Sequence, residues 1–348
     1  MNTRIMPAGE EAYRLSAELL KEGKLVAFPT ETVYGLGANA LNETAVRAIF
    51  AAKGRPADNP LIVHIYRADQ LKDFCEVPPR AEELMRAFWP GPLTMLFPRK
   101  SIIPDVVTAG LPTVAVRMPS HPAARAMLEA CDLPIAAPSA NRSGRPSPTT
   151  AAHVLEDLDG AVPLIIDGGS CEVGLESTVL DLCHGAPCIL RPGGVTREML
   201  ESVLGTRVEL AGSILRPLQP GEVALSPGMR YKHYAPKGSV TLVKGREEAV
   251  LRRLKALYRE AEQEGKRVCV LCFTEHMAAL KECHPYDIGS CQDDRQVAHR
   301  LFDVLRRLDE EEMDVAYSEV VPPEGVGLAV MNRLGRAAAF QTINADEE

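Results

Sequence analysis

The sequence lacks any long hydrophobic run. No stretch of the 348 residues approaches the roughly 20 apolar positions that a membrane-spanning helix requires. Acidic residues stand near the N-terminus where a signal peptide carries its apolar segment. We therefore expect no membrane partner and a cytoplasmic location.

Several catalytic signatures are also absent. The chain has no GxxxxGK[ST] loop, no GxSxG nucleophile elbow, no HExxH motif and no kinase signature. Any nucleotide chemistry is therefore not of the P-loop kind. The 9 cysteines are scattered and odd in number, which argues against a disulfide framework and fits a reducing compartment.

Basic charge is not in excess either. Lysine and arginine number 39 against 47 acidic residues, which gives a formal net charge of -8. Nucleic acids and anionic membranes need a basic face that releases counterions. We therefore expect no stable nucleic-acid binding, although a local basic pocket is compatible with this charge.

The length and the 46% hydrophobic content suffice for two buried cores. In residues 1–205, strands alternate with helices and some strands follow one another directly, which predicts an α/β domain with a mixed sheet. Residues 206–237 are rich in proline and read as a linker, too polar and irregular to be core. In residues 238–348, strands again alternate with helices, which predicts a small parallel sheet with crossover helices.

A glycine-containing segment, PTETVYGLGANA, follows the first apolar strand at residues 29–40. It superficially offers the dinucleotide fingerprint GxGxxA. A Rossmann turn places its glycines directly after the strand, however, and here Pro29-Thr-Glu-Thr intervenes. The segment is either a structural turn or a cradle of hydroxyls and backbone for a small polar ligand.

Three cations stand in positions that need explaining. Lys53 and Arg55 end a predicted helix, where they complement its dipole. The rigid RPxxNP continuation also lets Arg55 present its planar guanidinium to a phosphate or carboxylate. Arg117 interrupts an apolar strand, and a buried arginine needs an anion, either a protein carboxylate or a ligand.

The loop at residues 137–149, APSANRSGRPSPT, carries the densest set of hydrogen-bonding side chains in the chain. Ser139, Asn141 and Ser147 lie among three prolines and a glycine, an arrangement suited to phosphate or nucleotide contacts. Ser177 and Arg191 stand at strand ends, where α/β folds present ligand groups.

The KxR…SxN set formed by Lys53, Arg55, Ser139 and Asn141 resembles the YrdC-like family. FPTETVYGLG, KGRPxDNPLIVHI, APSANxSGxxSPT, STV and LRPG stand in that family's order and spacing. The proline-rich HYAP linker and the second domain resemble the longer, two-domain threonylcarbamoyl-AMP synthases of the family. The resemblance spans essentially the whole chain.

The resemblance implies an α/β fold with an open twisted mixed sheet and a smaller Rossmann-like C-terminal domain. It also implies an enzyme that joins L-threonine, bicarbonate and ATP into threonylcarbamoyl-adenylate for a tRNA threonylcarbamoyltransferase. Mg2+ is expected through the ATP phosphates rather than through direct protein ligands. The implied ATP contacts are Arg55, Asn59, Thr113, Ser139, Ser147, Arg191 and Tyr234. The implied L-threonine contacts are Thr32, His64, Arg117, Ala137 and Ser177.

For catalysis we expect Lys53, Arg55, Ser139 and Asn141 to act on the phosphates and bicarbonate. The linker is expected to fold back as a lid, and Tyr231 or His233 could replace Tyr234 in contacting ATP. The proton acceptor for the threonine amine is not evident from the sequence. Two other functions are an RNA-binding module and a carbamoyltransferase that forms a carbamoyl-adenylate.

Overall fold

A computed structural model describes residues 2–216 and 234–347. Contacts among these residues divide them into two units, the first comprising 2–143 and 147–214, the second 144–146, 215–216 and 234–347. The expected lid lies largely outside the described residues, so the lid and the domain boundaries at 205 and 238 stay predictions. None of the helices in the described part is long and apolar enough to cross a membrane.

The first unit alternates short strands with short helices. In chain order its elements are β1 (Arg4–Pro7), α1 (Glu10–Lys21), β2 (Val26–Phe28), β3 (Gly35–Asn39), α2 (Glu43–Lys53), β4 (Ile62–His64), α3 (Leu71–Phe74), α4 (Pro79–Phe88), β5 (Leu93–Pro98), α5 (Asp105–Thr108), β6 (Thr113–Arg117), α6 (Pro122–Cys131), β7 (Ile135–Ala136), α7 (Ala151–Leu158), β8 (Leu164–Asp167), β9 (Thr178–Asp181), β10 (Cys188–Arg191), α8 (Arg197–Leu204) and β11 (Glu209–Leu210).

The described strands of this unit form one sheet in the order β1-β8-β2-β3-β7-β4-β6-β5-β9-β10-β11. The sheet contains both parallel pairs, such as β4 with β6, and antiparallel pairs, such as β5 with β6. The predicted α/β fold with a mixed sheet is thereby confirmed. One side of the sheet is covered by α1 and α6, whose residues Leu20 and Met127 share a buried cluster with Val26 and Ile166.

The glycines of the GLGAN segment lie in a strand, β3, that the sequence analysis did not predict. A Cβ on Gly37 would approach Ile135 Cγ2 and Phe28 Cε1 to 2.9 Å each. Glycine therefore lets the strand pack closely against its neighbours. This segment is neither a Rossmann turn nor a simple connecting loop.

The residues directly after 205 continue the first sheet. Strand β11 pairs in parallel with β10, where Glu209 aligns with Cys188. Val208 and Ile214 are buried. For residues 206–214, the expectation of a segment too polar for a core is wrong, because the apolar side chains on either side of β11 pack inward while β11 itself is exposed. For the rest of the expected linker it stays a prediction.

The second unit is a smaller α/β sheet. Its elements are β12 (Ser239–Lys244), α9 (Glu247–Gln263), β13 (Val268–Cys272), β14 (Pro285–Asp287), α10 (Asp294–Glu310), β15 (Val315–Ser318), α11 (Gly327–Ala337) and β16 (Thr342–Asn344). The strands lie in the order β14-β13-β15-β12-β16, and all four neighbouring pairs are parallel. The predicted parallel sheet with crossover helices is confirmed.

Candidate active site

The register of three central strands places three of the predicted site residues, His64, Thr113 and Arg117, on one face of the first sheet. Arg117 of β6 aligns with His64 of β4 and with Thr94 of β5. Side chains alternate along a strand, so Thr113 shares this face with Arg117. Four residues of strand separate the two, about 13 Å at the usual rise per residue.

Apolar side chains line the floor of this face between its two ends. Ile62, Leu96, Ala115 and Val179 belong to one buried cluster. We name the end with His64, Thr94 and Arg117 the Arg117 end. The opposite end, where β6 begins at Thr113, is named the Ser139 end.

The predicted loop residues reach the Ser139 end because of strand direction. Strand β7 runs antiparallel to β4, so the chain leaving β7 moves toward the beginning of β4. Ala137, buried at this exit, donates its N–H to the Ile62 carbonyl at 2.8 Å. Arg55 and Asn59 precede β4 and therefore lie at the same end.

At the Arg117 end, the guanidinium is 3% exposed and contacts three groups. Nη1 donates to Thr32 Oγ1 at 2.8 Å, and Nε donates to the Gly91 carbonyl at 3.3 Å. Nη2 lies 2.7 Å from Glu31 Oε1 in a buried ion pair. Of the two anions that the sequence left open for Arg117, the structure supplies the protein carboxylate.

This ion pair leaves hydrogen-bonding capacity unused. Apart from their own 2.7 Å ion pair, the buried atoms Arg117 Nη2 and Glu31 Oε1 have no hydrogen-bond partner among the described residues. A guanidinium carries five N–H donors in a planar fork, and Arg117 donates two of these hydrogen bonds within the protein. Arg117 therefore retains donors for a ligand carboxylate.

Glu31 is a site residue to which the sequence analysis gave no role. Its Oε2 accepts the Ser120 N–H at 3.1 Å, which ties the segment before β3 to the end of β6. Burial raises the pKa of Glu31, but the Arg117 charge and the hydrogen bonds outweigh burial and hold that pKa below its ordinary value. The carboxylate is therefore charged. The sequence feature that could have identified Glu31 as a site residue is its position inside the TET motif.

His64 lies beside Arg117 and is uncharged. Burial, and then the Arg117 charge, lower the pKa of His64 to about 3. The neutral ring donates from Nδ1 to the Ile62 carbonyl, 3.2 Å away. An uncharged imidazole suits a neutral ligand group such as a hydroxyl.

Ser177 joins the Arg117 end to β10. Its Oγ lies 2.7 Å from Thr94 Oγ1, and Arg191 donates to both its hydroxyl and its carbonyl, at 3.2 and 3.1 Å. The turn after Arg191 packs directly on this segment. A Cβ on Gly193 would lie 2.3 Å from the Thr178 nitrogen, so this close approach requires glycine.

At the Ser139 end, Lys53 faces the loop that the sequence analysis singled out. Its ammonium donates to the Ser139 carbonyl, to the Asn141 carbonyl at 2.6 Å and to Asn141 Oδ1 at 3.3 Å. Ser139 Oγ donates to Asn141 Oδ1 at 2.5 Å. The structure thus brings three of the four KxR…SxN residues into mutual contact.

Arg55 is held separately, just beyond helix α2. Gly54 adopts the left-handed conformation at the end of this helix, with φ 59°, which is the usual helix-terminating role of glycine. Arg55 Nη2 donates to the Asn59 carbonyl at 3.1 Å, and the guanidinium lies over the Phe50 ring at 5.7 Å. The predicted RPxxNP turn therefore fixes this cation.

A second buried carboxylate was missed at Glu176. Ser147 Oγ donates to Glu176 Oε1 at 2.5 Å, and both side chains are buried. Glu176 directly precedes Ser177 in the GLEST motif. The structure therefore connects the end of the loop at 137–149 to the segment that carries Ser177.

Tyr234 belongs to the second unit. Its ring is buried and stacks on Phe302, with centroids 5.2 Å apart. Its contact with ATP stays a prediction, and the alternatives Tyr231 and His233 fall outside the described residues. In residues 2–216 and 234–347, no group of three or more His, Cys, Asp or Glu side chains could hold a metal ion; the expectation of Mg2+ through ATP phosphates is untested.

Two family models match the chain in succession. The Sua5_yciO_yrdC model, described as telomere recombination, matches residues 18–193. The Sua5_C model, described as the C-terminal domain of threonylcarbamoyl-AMP synthase, matches residues 195–339.

Similar proteins extend over nearly the same length. A threonylcarbamoyl-AMP synthase of Pyrococcus abyssi is 47% identical over 335 residues, covering 96% of each chain. A threonylcarbamoyl-AMP synthase of Bacillus subtilis is 48% identical over 334 residues, covering 94% of this chain and 93% of that protein.

Solved structures agree with these matches. The crystal structure of P. abyssi Sua5 complexed with L-threonine superposes with a TM-score of 0.92 at 45% identity, covering 98% of this chain and 99% of that one. Escherichia coli YciO shares the fold alone, at 23% identity and a TM-score of 0.50 over 55% of this chain and 96% of that one. The chain therefore belongs to the Sua5/YciO/YrdC family, in the two-domain form of its threonylcarbamoyl-AMP synthases.

Proposed function

We propose that this chain condenses L-threonine, bicarbonate and ATP into L-threonylcarbamoyladenylate and releases pyrophosphate. The product then serves the tRNA threonylcarbamoyltransferase that modifies the residue next to the anticodon. One observation carries the proposal: a single face of the first sheet holds an arginine with unused donors at one end and the Lys53-held Ser139–Asn141 loop at the other.

The Arg117 end suits the amino acid. Arg117 would bind the threonine carboxylate through its remaining N–H donors, because a guanidinium matches a carboxylate in geometry and charge. The neutral His64 and the Thr32 hydroxyl would contact the side chain, and Ser177 would close this end. Ala137, at the exit of β7, would contact the threonine from the side of the Ser139 end. The apolar floor accommodates the threonine methyl group.

The Ser139 end suits the nucleotide. The Ser139 hydroxyl and the Asn141 amide offer hydrogen bonds to phosphate oxygens, and Arg55 supplies positive charge. Ser147 and Arg191, which contact the Glu176–Ser177 segment, would reach the phosphates from the side of the Arg117 end. Asn59 and Thr113 flank the beginnings of β4 and β6, where the nucleoside would lie. Tyr234 is the contact that we expect from outside the first unit.

The reaction proceeds in two displacements. The threonine amine attacks the carbon of bicarbonate and water leaves, which gives a carbamate. A carbamate oxygen then attacks the α-phosphorus of ATP, and pyrophosphate departs with the electrons of the broken P–O bond. The protein contributes placement and charge compensation rather than a nucleophile. Mg2+ on the ATP phosphates would supply further charge neutralisation, and Ser139 and Asn141 are the residues that would orient the phosphates that carry it.

Pyrophosphate release tests this function. The full chain is incubated with ATP, bicarbonate and threonine, and each component is omitted in turn. We expect release only when all three are present, with threonine preferred over serine and valine. Release that is independent of threonine or bicarbonate would contradict the proposal. Replacing threonine and bicarbonate by carbamoyl phosphate tests the alternative function as a carbamoyltransferase. Measuring whether the chain binds RNA in a salt-dependent manner without ATP tests the alternative function as an RNA-binding module.

A further inference from the structure

We propose that Glu31 is a specificity-determining residue, which makes the Arg117 end select a zwitterionic amino acid against a plain carboxylic acid of the same shape. This inference rests on the proposed function, because it takes Arg117 as the group that binds the substrate carboxylate. It assigns a role to a charge that the reaction itself does not use.

The charges of Arg117 and Glu31 balance at the Arg117 end. Glu31 Oε1 lies 2.7 Å from Arg117 Nη2, and both side chains are buried. An isolated buried guanidinium attracts any small carboxylate strongly. Beside Glu31, an incoming carboxylate meets an attractive and a repulsive charge at similar distances, and the net attraction is small.

The Arg117–Glu31 pair interacts more favourably with a zwitterion than with a plain carboxylate. Its carboxylate is attracted by Arg117 while its ammonium is attracted by Glu31, so both charges of the pair favour binding. The two facing atoms also match such a ligand in hydrogen bonding. In the described part of the chain, neither Arg117 Nη2 nor Glu31 Oε1 has a hydrogen-bond partner besides the other.

The neighbouring titratable groups do not replace Glu31. Burial raises the pKa of the Cys171 thiol to about 12, which leaves it neutral. Burial lowers the pKa of His64 to about 3 and lowers that of His121, so both rings are uncharged near neutral pH. Glu31 is therefore the group whose removal changes the charge around Arg117.

The test compares two ligands that differ only in the amino group. L-Threonine and (R)-3-hydroxybutyrate share the carboxylate, the hydroxyl and the methyl group. Their dissociation constants are measured calorimetrically with the full chain. We expect the wild type to prefer threonine by about a hundredfold, and Glu31→Gln to reduce this preference by at least about tenfold, because glutamine keeps the shape and removes the charge.

Two variants serve as controls. Glu31→Asp keeps the charge, so the preference for threonine is expected to stay within about threefold of the wild type. Glu176→Gln removes the other buried carboxylate, which contacts Ser147 rather than Arg117, and the preference is again expected to be unchanged. Equal loss in Glu31→Gln and Glu176→Gln contradicts a role specific to Glu31.

The remaining outcomes are also decisive. If Glu31→Gln weakens both ligands by the same factor, Glu31 only supports Arg117 mechanically and the inference is overturned. If the wild type binds both ligands equally, the inference fails whether or not any variant folds. A wild type that binds no threonine contradicts the proposed function instead, and is thereby distinguished from failure of this inference.

Discussion

The two ends of the site hold their buried cations with different partners. At the Ser139 end, carbonyl and amide oxygens of Ser139 and Asn141 accept the hydrogen bonds of Lys53. At the Arg117 end, a carboxylate, Glu31, faces the guanidinium. Neutral oxygens fix an ammonium without cancelling its charge, whereas a carboxylate forms a neutral pair with an arginine. The first arrangement suits a polyanion and the second suits a zwitterion.

The largest effect is expected from Lys53→Met, which tests the Ser139 end. The substitution keeps much of the side-chain volume but removes the donor that joins Ser139 to Asn141. A displacement of about 1 Å in a positioned group costs roughly a hundredfold in rate, and we expect threonine-dependent pyrophosphate release to fall at least that far. Threonine binding should change little.

The matched control for Lys53→Met is Arg47→Met on the same helix. Arg47 is exposed and, within the described residues, pairs with Glu43 one turn away. Exposed pairs of this type contribute about 0.3–0.5 kcal/mol, so activity should be unchanged. Similar losses of activity in both variants would show that the helix as a whole, rather than the Lys53 contact, is responsible.

Arg117→Ala tests the Arg117 end and is expected to raise the KM for threonine. Truncating one partner of a desolvated charge pair costs roughly 2–4 kcal/mol in binding. The KM for ATP should stay within a few-fold of the wild type. Steady-state kinetics with each substrate varied in turn measures the split, and a threonine KM within a few-fold of the wild-type value would remove Arg117 from the amino-acid site.

A smaller effect, on both ends together, is expected from Gly193→Ala. The added Cβ would lie 2.6 Å from the Glu176 carbonyl oxygen and from the Ser177 carbonyl carbon. Backbone must therefore shift, and we expect lower activity with raised KM values for both substrates. Gly194→Ala is the neighbouring control, because its Cβ would meet only side chains at 3.4 Å or more. Equal behaviour of the two variants would contradict the account of this turn.

The smallest effect concerns the response to acid. The pKa of His64 is about 3 in the folded chain and about 6.5 when unfolded. Between these values the unfolded state binds a proton that the folded state does not, so stability is lost as the pH falls below 6.5. From pH 7 to pH 5 we expect about 2 kcal/mol of loss from this group. Urea titrations of the wild type and His64→Gln measure it, and equal losses would show that His64 is not buried in its neutral form.

Local patterns in the sequence predicted most of the fold. Strand β6 was expected from the apolar run around Arg117, and helix α2 is the predicted helix that ends near Lys53. The structure shows how helix α2 begins, because the Asn42 side chain accepts the Ala45 N–H at 3.1 Å as an N-cap. Strand β3 was missed because glycine has a low strand propensity. The strand needs glycine at residue 37 because Phe28 and Ile135 leave no room for a Cβ there. Such crowding depends on residues distant in the chain, and a local pattern does not contain it.

The site residues also divide into those that local sequence patterns identified and those that depend on contacts between distant residues. Lys53, Ser139 and Asn141 were identified together, and the structure places them in contact. Glu31 and Glu176 were missed because acidic residues are unexpected where anions are to bind. Their roles come from the pairs with Arg117 and Ser147, which are 86 and 29 residues away along the chain.

The central claim is that one face of the first sheet holds the nucleotide and the amino acid side by side. A crystal structure of the full chain with L-threonine and a non-hydrolysable ATP analogue tests it most directly. We predict the threonine carboxylate on Arg117 and the analogue's phosphates at Ser139 and Asn141, with the apolar floor beneath both. Ligands bound elsewhere, with Lys53, Ser139 and Asn141 contacting only each other, would contradict the account.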